Sequence, residues 1–195
     1  MKMDIHTTVL VLGLISRGIM KYKDELIRSM EWLGNRGDTL FLGQATAFSG
    51  HAISGTLTEV PKDKLIELPV MEEVQMGLCT GLSLEGYVPI SIYPRFNFMM
   101  LAINQLVNHI DKMKEMSKGM LIPKVIVRVA VGASKPIDGG SQHTQDFTES
   151  IKSMLTDTTL VELIEPEQIF DTFVDAYNRD GSTVVVEWGD FYSEK

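Results

Sequence analysis

The sequence predicts a single α/β domain with a mostly parallel sheet and helices on both faces. Short β-branched runs bounded by Gly or Pro alternate with longer segments in which apolar residues recur every three or four positions. Alternation of strand and helix is typical of a parallel sheet that is covered on both faces. With 195 residues, 44% of them hydrophobic, the chain is long enough for one such domain with a sizeable core.

The strands are predicted from runs that are rich in β-branched residues. A further short strand is expected to end at Pro69. The five main predicted strands are Thr39–Gly43, Val88–Tyr93, Lys124–Val131, Thr158–Ile164 and Ser182–Trp188.

Helical spacing predicts three helices between these strands. One covers Asp24–Leu33 and is stopped by Gly34. Pro166 takes the first position of another helix, which runs to about Asn178. A third helix carries its apolar side chains on one face, and these are Met99, Ile103, Leu106, Ile110 and Met113.

Composition excludes several classes of function. A net charge of −8 makes nucleic acid and membrane surfaces poor partners, because both carry phosphate. The single cysteine, Cys79, cannot form an internal disulfide or a cysteine-rich zinc site, so a cytoplasmic location is expected.

The apolar run Val9–Ile15 is far shorter than the ~20 residues that span a bilayer. It lacks the basic flank of a signal peptide and is predicted to be a strand or a packing arm.

The most informative segment begins with a pair of carboxylates. Glu72 and Glu73 fall in the first turn of a helix predicted to begin near Met71, where the helix dipole favours negative charge. Gly77 and Gly81 follow one helical turn apart, and each costs about 1 kcal/mol against alanine in a solvent-facing helix. Small residues at this spacing allow another backbone to come close. We therefore expect a carboxylate at the mouth of a tightly packed helix, plausibly at a subunit interface.

A glycine-rich loop follows the most apolar predicted strand. It covers Gly132–Thr144 and contains Pro136, Gly139 and Gly140. Ligands of open parallel sheets collect where loops leave the carboxyl ends of the strands. This loop is therefore a candidate site on geometry alone.

The residues around the glycine-bearing helix resemble those of thiamine-diphosphate-dependent enzymes. Glu72 followed by Gly77 and Gly81 is similar to the motif of their pyrimidine-binding domains, and the resemblance runs from about Lys21 to Trp188. Further pieces are similar, in the same order, to the beta subunits of 2-oxo acid dehydrogenases. They are Gly86-Tyr-Val-Pro89, Phe96-Asn97-Phe98, Ala102-Ile103-Asn104-Gln105, Asn108, Met116-Ser117, Gly119, Ile122-Pro123, Arg128 and Gln142-His143-Thr144-Gln145.

The resemblance implies that Glu72 transfers a proton. In this family a glutamate at that position hydrogen-bonds a pyrimidine nitrogen of thiamine diphosphate and exchanges a proton with the ring. This exchange allows the thiazolium proton to be removed. Such a carboxyl has to stay protonated near neutral pH, which burial among apolar groups such as Val70, Met71 and Met76 would promote.

Three further positions take roles from the resemblance. Phe98 matches the aromatic residue that stacks on the pyrimidine, and His143 matches an active-site histidine on the glycine-rich loop. The alternative for Phe98 is a core residue, and for His143 a surface or capping residue. Gln44 stands where the family has an acidic residue, so this edge of the cofactor pocket is expected to accept a different substrate or charge. Glu73 replaces the histidine of transketolases and deoxyxylulose-phosphate synthases, which argues against those branches.

The resemblance also implies a second polypeptide. The family holds the diphosphate and its Mg²⁺ with a Gly-Asp-Gly motif followed by an asparagine, and this sequence has no Gly-Asp-Gly. We therefore expect thiamine diphosphate to be shared with a diphosphate-binding, alpha-like partner subunit that holds the Mg²⁺. No metal site is expected in this chain. A homodimer or a heterotetramer is expected to act on a small 2-oxo acid or sugar-like substrate.

The predicted organisation has three parts. Residues 1–20 form an N-terminal arm or strand, residues 21–190 the pyrimidine-binding domain, and residues 191–195 a polar C-terminal tail. The function expected is one subunit of a split decarboxylase, dehydrogenase or aldehyde transferase. A non-catalytic structural or regulatory subunit is the alternative, and a truncated dehydrogenase beta subunit is a third possibility that the polar C-terminus disfavours.

Overall fold

A six-stranded sheet runs through the computed structural model, which describes residues 20–48, 52–134 and 138–194. The predicted N-terminal arm, including Val9–Ile15, lies outside the described residues. The strands are β1 Thr39–Gly43, β2 Leu65–Glu67, β3 Val88–Tyr93, β4 Ile126–Val131, β5 Thr159–Glu162 and β6 Thr183–Trp188. Their spatial order is β2-β1-β3-β4-β6-β5, and every neighbouring pair is parallel. The predicted α/β class with a parallel sheet is confirmed.

Helices cover both faces of this sheet, as predicted. They are α1 Tyr22–Gly34, α2 Glu72–Leu84, α3 Phe96–Met99, α4 Asp111–Met116, α5 Thr148–Met154, α6 Pro166–Asn178 and α7 Phe191–Glu194. On one face, α1 and α6 pack against sheet residues that include Phe41, Ile90 and Val185. On the other face, α2 and the helical stretch after β3 pack against residues that include Val127 and Val184.

The helical stretch after β3 differs from the single regular helix predicted there. Between α3 and α4 the backbone passes through a 3₁₀ turn at Met100–Ala102 and a π-helical segment at Gln105–Ile110. The predicted apolar face is kept, because Met99, Leu106 and Ile110 are buried. Changes of helical pitch let a long segment keep one face on a curved core, and they occur often at functional sites.

The C-terminal residues also differ from the expected polar tail. Phe191 and Tyr192 lie in α7, and their rings contact the Tyr22 ring with centroids 5.5 Å and 5.9 Å away. The Tyr192 hydroxyl donates a hydrogen bond to Glu187 in β6. The free energy gained by burying two aromatic rings outweighs the preference of the polar neighbours for solvent, so this segment packs on the domain.

The sheet has a topological switch point between β1 and β3. The chain leaves β1 for β2 on one side and returns to β3 on the other, so the loops after β1 and β3 diverge there. Gly43 at the end of β1 lets the two strands approach closely, because a Cβ at this position would lie 2.3 Å from the Ile92 carbonyl oxygen. Open parallel sheets bind ligands in the crevice that such diverging loops create.

Candidate functional site

The four predicted site residues all lie at the carboxyl edge of the sheet. Gln44 directly follows β1, Glu72 is the first residue of α2, and Phe98 lies in α3 just after β3. His143 lies in the loop that follows β4. The strand order therefore brings together residues that are as much as 99 positions apart in the sequence, from Gln44 to His143.

Glu72 is joined to Gln44 by a hydrogen bond. The Gln44 side-chain amide donates from Nε2 to Glu72 Oε1 over 3.0 Å, and the Glu72 residue is only 2% exposed. The Tyr93 hydroxyl donates to the Glu72 main-chain carbonyl over 3.2 Å, which fixes the start of α2 against β3. The amide at position 44 thus offers an N–H donor where a carboxylate would offer only acceptors.

The apolar surroundings predicted for Glu72 are only partly present within this chain. Met76 is fully buried beneath it in α2. Val70 is 73% exposed and Met71 is 50% exposed, so neither of these two residues is itself buried, although Glu72 is. Both side chains point away from the core because the segment between β2 and α2 runs along the surface.

Two pockets flank Phe98 and share it as a common wall. The first, here called the Gln44 pocket, has a volume of about 340 Å³ and is lined by residues that include Gln44, Glu67, Val70 and Phe98. The second, the His143 pocket, measures about 250 Å³, and Phe98 and His143 are among its lining residues. These sizes suit a flat ring or a small acid rather than a large ligand.

Phe98 and His143 are in contact across the boundary of the two pockets. Their ring centroids are 5.7 Å apart with an interplanar angle of 77°, which is an edge-to-face arrangement. His143 Nδ1 lies 3.4 Å from Asn97 Oδ1, so a weak contact orients the imidazole. Phe98 therefore lines the site, whereas its neighbour Phe96 is buried in the core against Phe147.

Glu67 is a site residue for which the sequence analysis assigned no role. Its carboxylate accepts hydrogen bonds from the main-chain N–H groups of Ala45, Thr46 and Ala47 at 2.8, 2.8 and 2.9 Å. The Thr46 hydroxyl adds a fourth bond of 3.1 Å. These bonds hold the loop after β1 in a turn in which Ala45 has a φ of 58°, an uncommon value for a residue with a side chain. The same turn directs Gln44 toward Glu72.

The Glu67 carboxyl has a lowered pKa. Desolvation raises the pKa of Glu67, but the hydrogen bonds from Ala47, Ala45 and Thr46 outweigh that effect. A carboxylate with a depressed folded-state pKa stabilises the fold at a pH above its unfolded value of about 4.3. That contribution is lost as the pH falls through the folded-state pKa.

We expect Glu67→Gln to loosen the loop after β1. The amide has one acceptor oxygen for four donors, and its NH₂ group would face main-chain N–H groups. The loss should be about 1–3 kcal/mol at pH 7, measured by urea unfolding, and should shrink as the pH is lowered below about 4.3. Glu59→Gln, at an exposed position, is the control and should change stability little. Equal effects for the two variants would contradict this role for Glu67.

One face of α2 is exposed. The close packing predicted for this helix is not made by the described parts of the chain, which is consistent with the expected subunit interface. A Cβ added at Gly77 or Gly81 would meet no atom within 4 Å among the described parts of the chain. Val74 and Leu78 are exposed on the same helix, next to the exposed Met71. These five residues are called the α2 face below. It combines small residues with apolar side chains, as surfaces that receive another chain often do.

The general class of this domain follows from its fold and its pockets. It is an α/β domain with a parallel sheet and pockets at the carboxyl edge, which is where open sheets of this kind bind small molecules. A solved chain described as a split-gene transketolase, inactive beta4 tetramer, has the same fold, with a TM-score of 0.59 at 14% identity. The match covers 88% of this chain and 52% of that one.

Sequence relatives then place the chain more narrowly. The mitochondrial pyruvate dehydrogenase E1 component subunit beta of Caenorhabditis elegans is 32% identical over 133 residues, or 66% of this chain and 37% of the worm protein. The human mitochondrial subunit is 31% identical over 129 residues, or 64% of this chain and 35% of that protein. The chain is a homologue of pyruvate dehydrogenase E1 beta subunits, so the resemblance predicted from the motifs is confirmed.

The homology covers part of the relatives only. The matched region spans little more than a third of the length of these beta subunits, 37% and 35% in the two cases. No protein-family model matches the chain. Among the described residues, no helix is both long enough and apolar enough to cross a membrane.

Proposed function

We propose that this chain is the pyrimidine-binding subunit of a thiamine-diphosphate-dependent enzyme. The observation that carries the proposal is a buried carboxyl, Glu72, that accepts a hydrogen bond from Gln44, a residue that lines a pocket with an aromatic wall at the switch point of the sheet. The homology to pyruvate dehydrogenase E1 beta subunits supports it independently.

The residues around the Gln44 pocket fit the aminopyrimidine ring of this cofactor. Phe98 offers an aromatic wall on which a flat ring can stack, and Val70 offers apolar surface. Gln44 lines this pocket and carries an amide suited to the polar edge of such a ring, and Glu72 lies one hydrogen bond away from it. When bound, thiamine diphosphate supplies the electron sink for cleavage of a bond next to a carbonyl group.

Each side chain has a distinct proposed role. Glu72 holds a proton and passes it to and from the ring nitrogen, which requires a carboxyl at the end of a fixed helix rather than on a loop. Gln44 donates a hydrogen bond to Glu72 Oε1 and so fixes the orientation of the carboxyl. His143, across Phe98, lies where it can hydrogen-bond or exchange a proton with the substrate.

The proposed assembly has a diphosphate-binding, alpha-like subunit that also holds the Mg²⁺. The sequence lacks the Gly-Asp-Gly motif for that task, and the α2 face is free to receive another chain. The transketolase chain of similar fold is described as an inactive beta4 tetramer, which suits a subunit that is inactive without its partner. A homodimer or a heterotetramer is the proposed state.

The proposed reaction is cleavage of a 2-oxo acid or transfer of an aldehyde unit from a sugar-like substrate. The second candidate function is a non-catalytic subunit that keeps the fold, and the amide of Gln44 at an acidic position of the family favours it. Phe98 and His143 line adjoining pockets and Glu72 is hydrogen-bonded to Gln44 in the wall of one of them, and the retention of all three residues favours catalysis. The extent of the pyrimidine-binding domain, residues 21–190, and the cytoplasmic location stay predictions.

The isolated chain should bind Mg²⁺ and thiamine diphosphate weakly or not at all. The Gln44 pocket can seat the ring, but the chain has no motif for the diphosphate. Calorimetric titration of the chain alone, and then with a candidate partner that carries the Gly-Asp-Gly motif, measures this directly. Tight, Mg²⁺-dependent binding by the chain alone would contradict the split site. No binding by the assembled pair would contradict the cofactor assignment.

A further inference from the structure

Arg95 brings a positive charge to the His143 pocket. It is the second residue after β3 and lines the pocket together with Phe98, His143 and Gly132. Its side chain is partly buried. The sequence motifs assigned no role to this residue.

The Arg95 guanidinium has few protein partners. It donates one hydrogen bond, from Nη1 to the His143 carbonyl oxygen over 3.3 Å. Among the described residues no carboxylate lies within ion-pair distance of it, whereas Arg28 is paired with Glu25 and Arg128 with Glu187. A guanidinium has five N–H donors, so most of the Arg95 donors are available to a ligand in the pocket.

Two glycines keep room for this guanidinium. A Cβ added at Gly132 would lie 2.6 Å from Arg95 Nη1 and 1.8 Å from the His143 carbonyl oxygen. A Cβ added at Gly139 would lie 3.1 Å from Arg95 Nη1 and 2.9 Å from His143 Cβ. Gly132 and Gly139 therefore lie close to Arg95, and a larger residue at either position would displace the cation or the histidine.

The charge of the whole chain also makes the site of Arg95 favourable for an anion. The chain carries a net charge of −8, so an anion is repelled by most of its surface. A partly desolvated cation that has no carboxylate partner among the described residues makes this pocket a place where an anion binds favourably. A guanidinium binds a carboxylate or a phosphate with two parallel N–H···O bonds, which fixes the orientation of the ligand.

We propose that Arg95 is the receptor for the anionic group of the substrate, a carboxylate or a phosphate. The inference rests on the proposed function, because it places the substrate in the His143 pocket. Bound to Arg95, the anion would lie beside His143, with the rest of the substrate extending past Phe98 toward the Gln44 pocket. Arg95 is thus a specificity-determining residue that selects acidic substrates over neutral ones.

The test is a titration of the purified chain with sodium pyruvate and, separately, with inorganic phosphate. Binding is followed by NMR through the Nε–Hε signal of Arg95 and the ring signals of His143. We expect at least one anion to shift both sets of signals, and Arg95→Gln to weaken that binding by about tenfold to a hundredfold. Arg179→Gln is the matched control, because Arg179 is exposed at the end of α6.

Comparing the two anions distinguishes a carboxylate ligand from a phosphate ligand. Binding of pyruvate alone assigns the site to the carboxylate of a 2-oxo acid, and binding of phosphate alone assigns it to a phosphorylated substrate. If neither anion shifts the Arg95 signal of the wild-type chain, or if Arg95→Gln binds as well as wild type, the proposal is overturned. The wild-type signal decides the question even if the variant fails to fold.

The titration is independent of the cofactor. It uses neither thiamine diphosphate nor a partner subunit, so failure of the cofactor assignment leaves its result intact. Conversely, a chain that passes the cofactor tests but shows no anion binding would lose Arg95 as a receptor and keep Glu72 in its role. Arg95→Lys adds a further check, since it keeps the charge but loses the paired N–H geometry and should bind with intermediate affinity.

Discussion

Glu72→Gln is expected to leave the fold and cofactor binding intact while removing most of the turnover of the assembled enzyme. The amide is nearly isosteric with the carboxyl but cannot pass a proton to and from a ring nitrogen. Groups that transfer protons in this way contribute typically ~10²–10⁴-fold to the rate. The effect should be visible before any substrate is added, as slower hydrogen–deuterium exchange at the thiazolium carbon, followed by NMR after acid quenching.

Glu73→Gln is the matched control for this experiment. Glu73 lies in the same helical turn of α2, is exposed, and has the same charge. Its replacement removes a carboxylate from the start of the helix dipole and should leave the exchange rate nearly unchanged. If Glu73 is the sensitive position, or if the two variants behave alike, Glu72 is not the proton-transfer group.

Glu187→Gln is expected to destabilise the domain strongly. The Glu187 carboxylate is fully buried and accepts hydrogen bonds from Arg128 Nε and, over 2.9 Å, from Arg128 Nη2. Arg128 is also fully buried, and Nη2 donates to Thr56 Oγ1 over 2.7 Å. Removing one partner leaves an uncompensated buried charge, which costs about 3–5 kcal/mol in the free energy of unfolding. Urea unfolding measures the loss.

A double variant separates the cost of an unpaired charge from the value of the pair. In Arg128→Met/Glu187→Leu both charges are removed, so much of the stability lost in Glu187→Gln should return. Glu149→Gln removes the exposed partner of Lys152 and should change stability little. A Glu187→Gln variant as stable as wild type would show that the buried pair does not stabilise the domain.

Periodicity predicted most of the fold because the elements obey simple local rules. β1 and β3 were predicted with the bounds that the structure has, since both are short, largely apolar runs ended by Gly43 and Pro94 respectively. Pro166 marked the start of α6 correctly. The pitch changes between α3 and α4 could not be predicted, because they depend on packing against the sheet. The same holds for α7, where contacts with Tyr22 overcome a polar composition.

The candidate site was predictable only where a residue type stands out in the sequence. Glu72 and His143 were predicted from motifs, and Glu72 is buried, although Val70 and Met71 beside it in the sequence are exposed. Glu67 and Arg95 carried one usable signal, a charged residue at or just after the carboxyl end of a predicted strand. Spacing predicts neither the hydrogen bonds that Glu67 accepts nor the lack of a carboxylate partner for Arg95 within the described part of the chain, because both depend on loops brought together by the sheet.

Helix α2 connects the proposed cofactor site to the face on which another chain is proposed to dock. Its first residue, Glu72, belongs to the proposed cofactor site, and Gly77 and Gly81 on the same helix form part of the α2 face. A chain that docks on that face therefore fixes the helix that carries the proton-transfer group. Thermodynamic reciprocity then requires that whatever factor the docked chain adds to cofactor affinity, the cofactor adds to the affinity between the chains. Cofactor supply would thus set how much of the subunit is assembled.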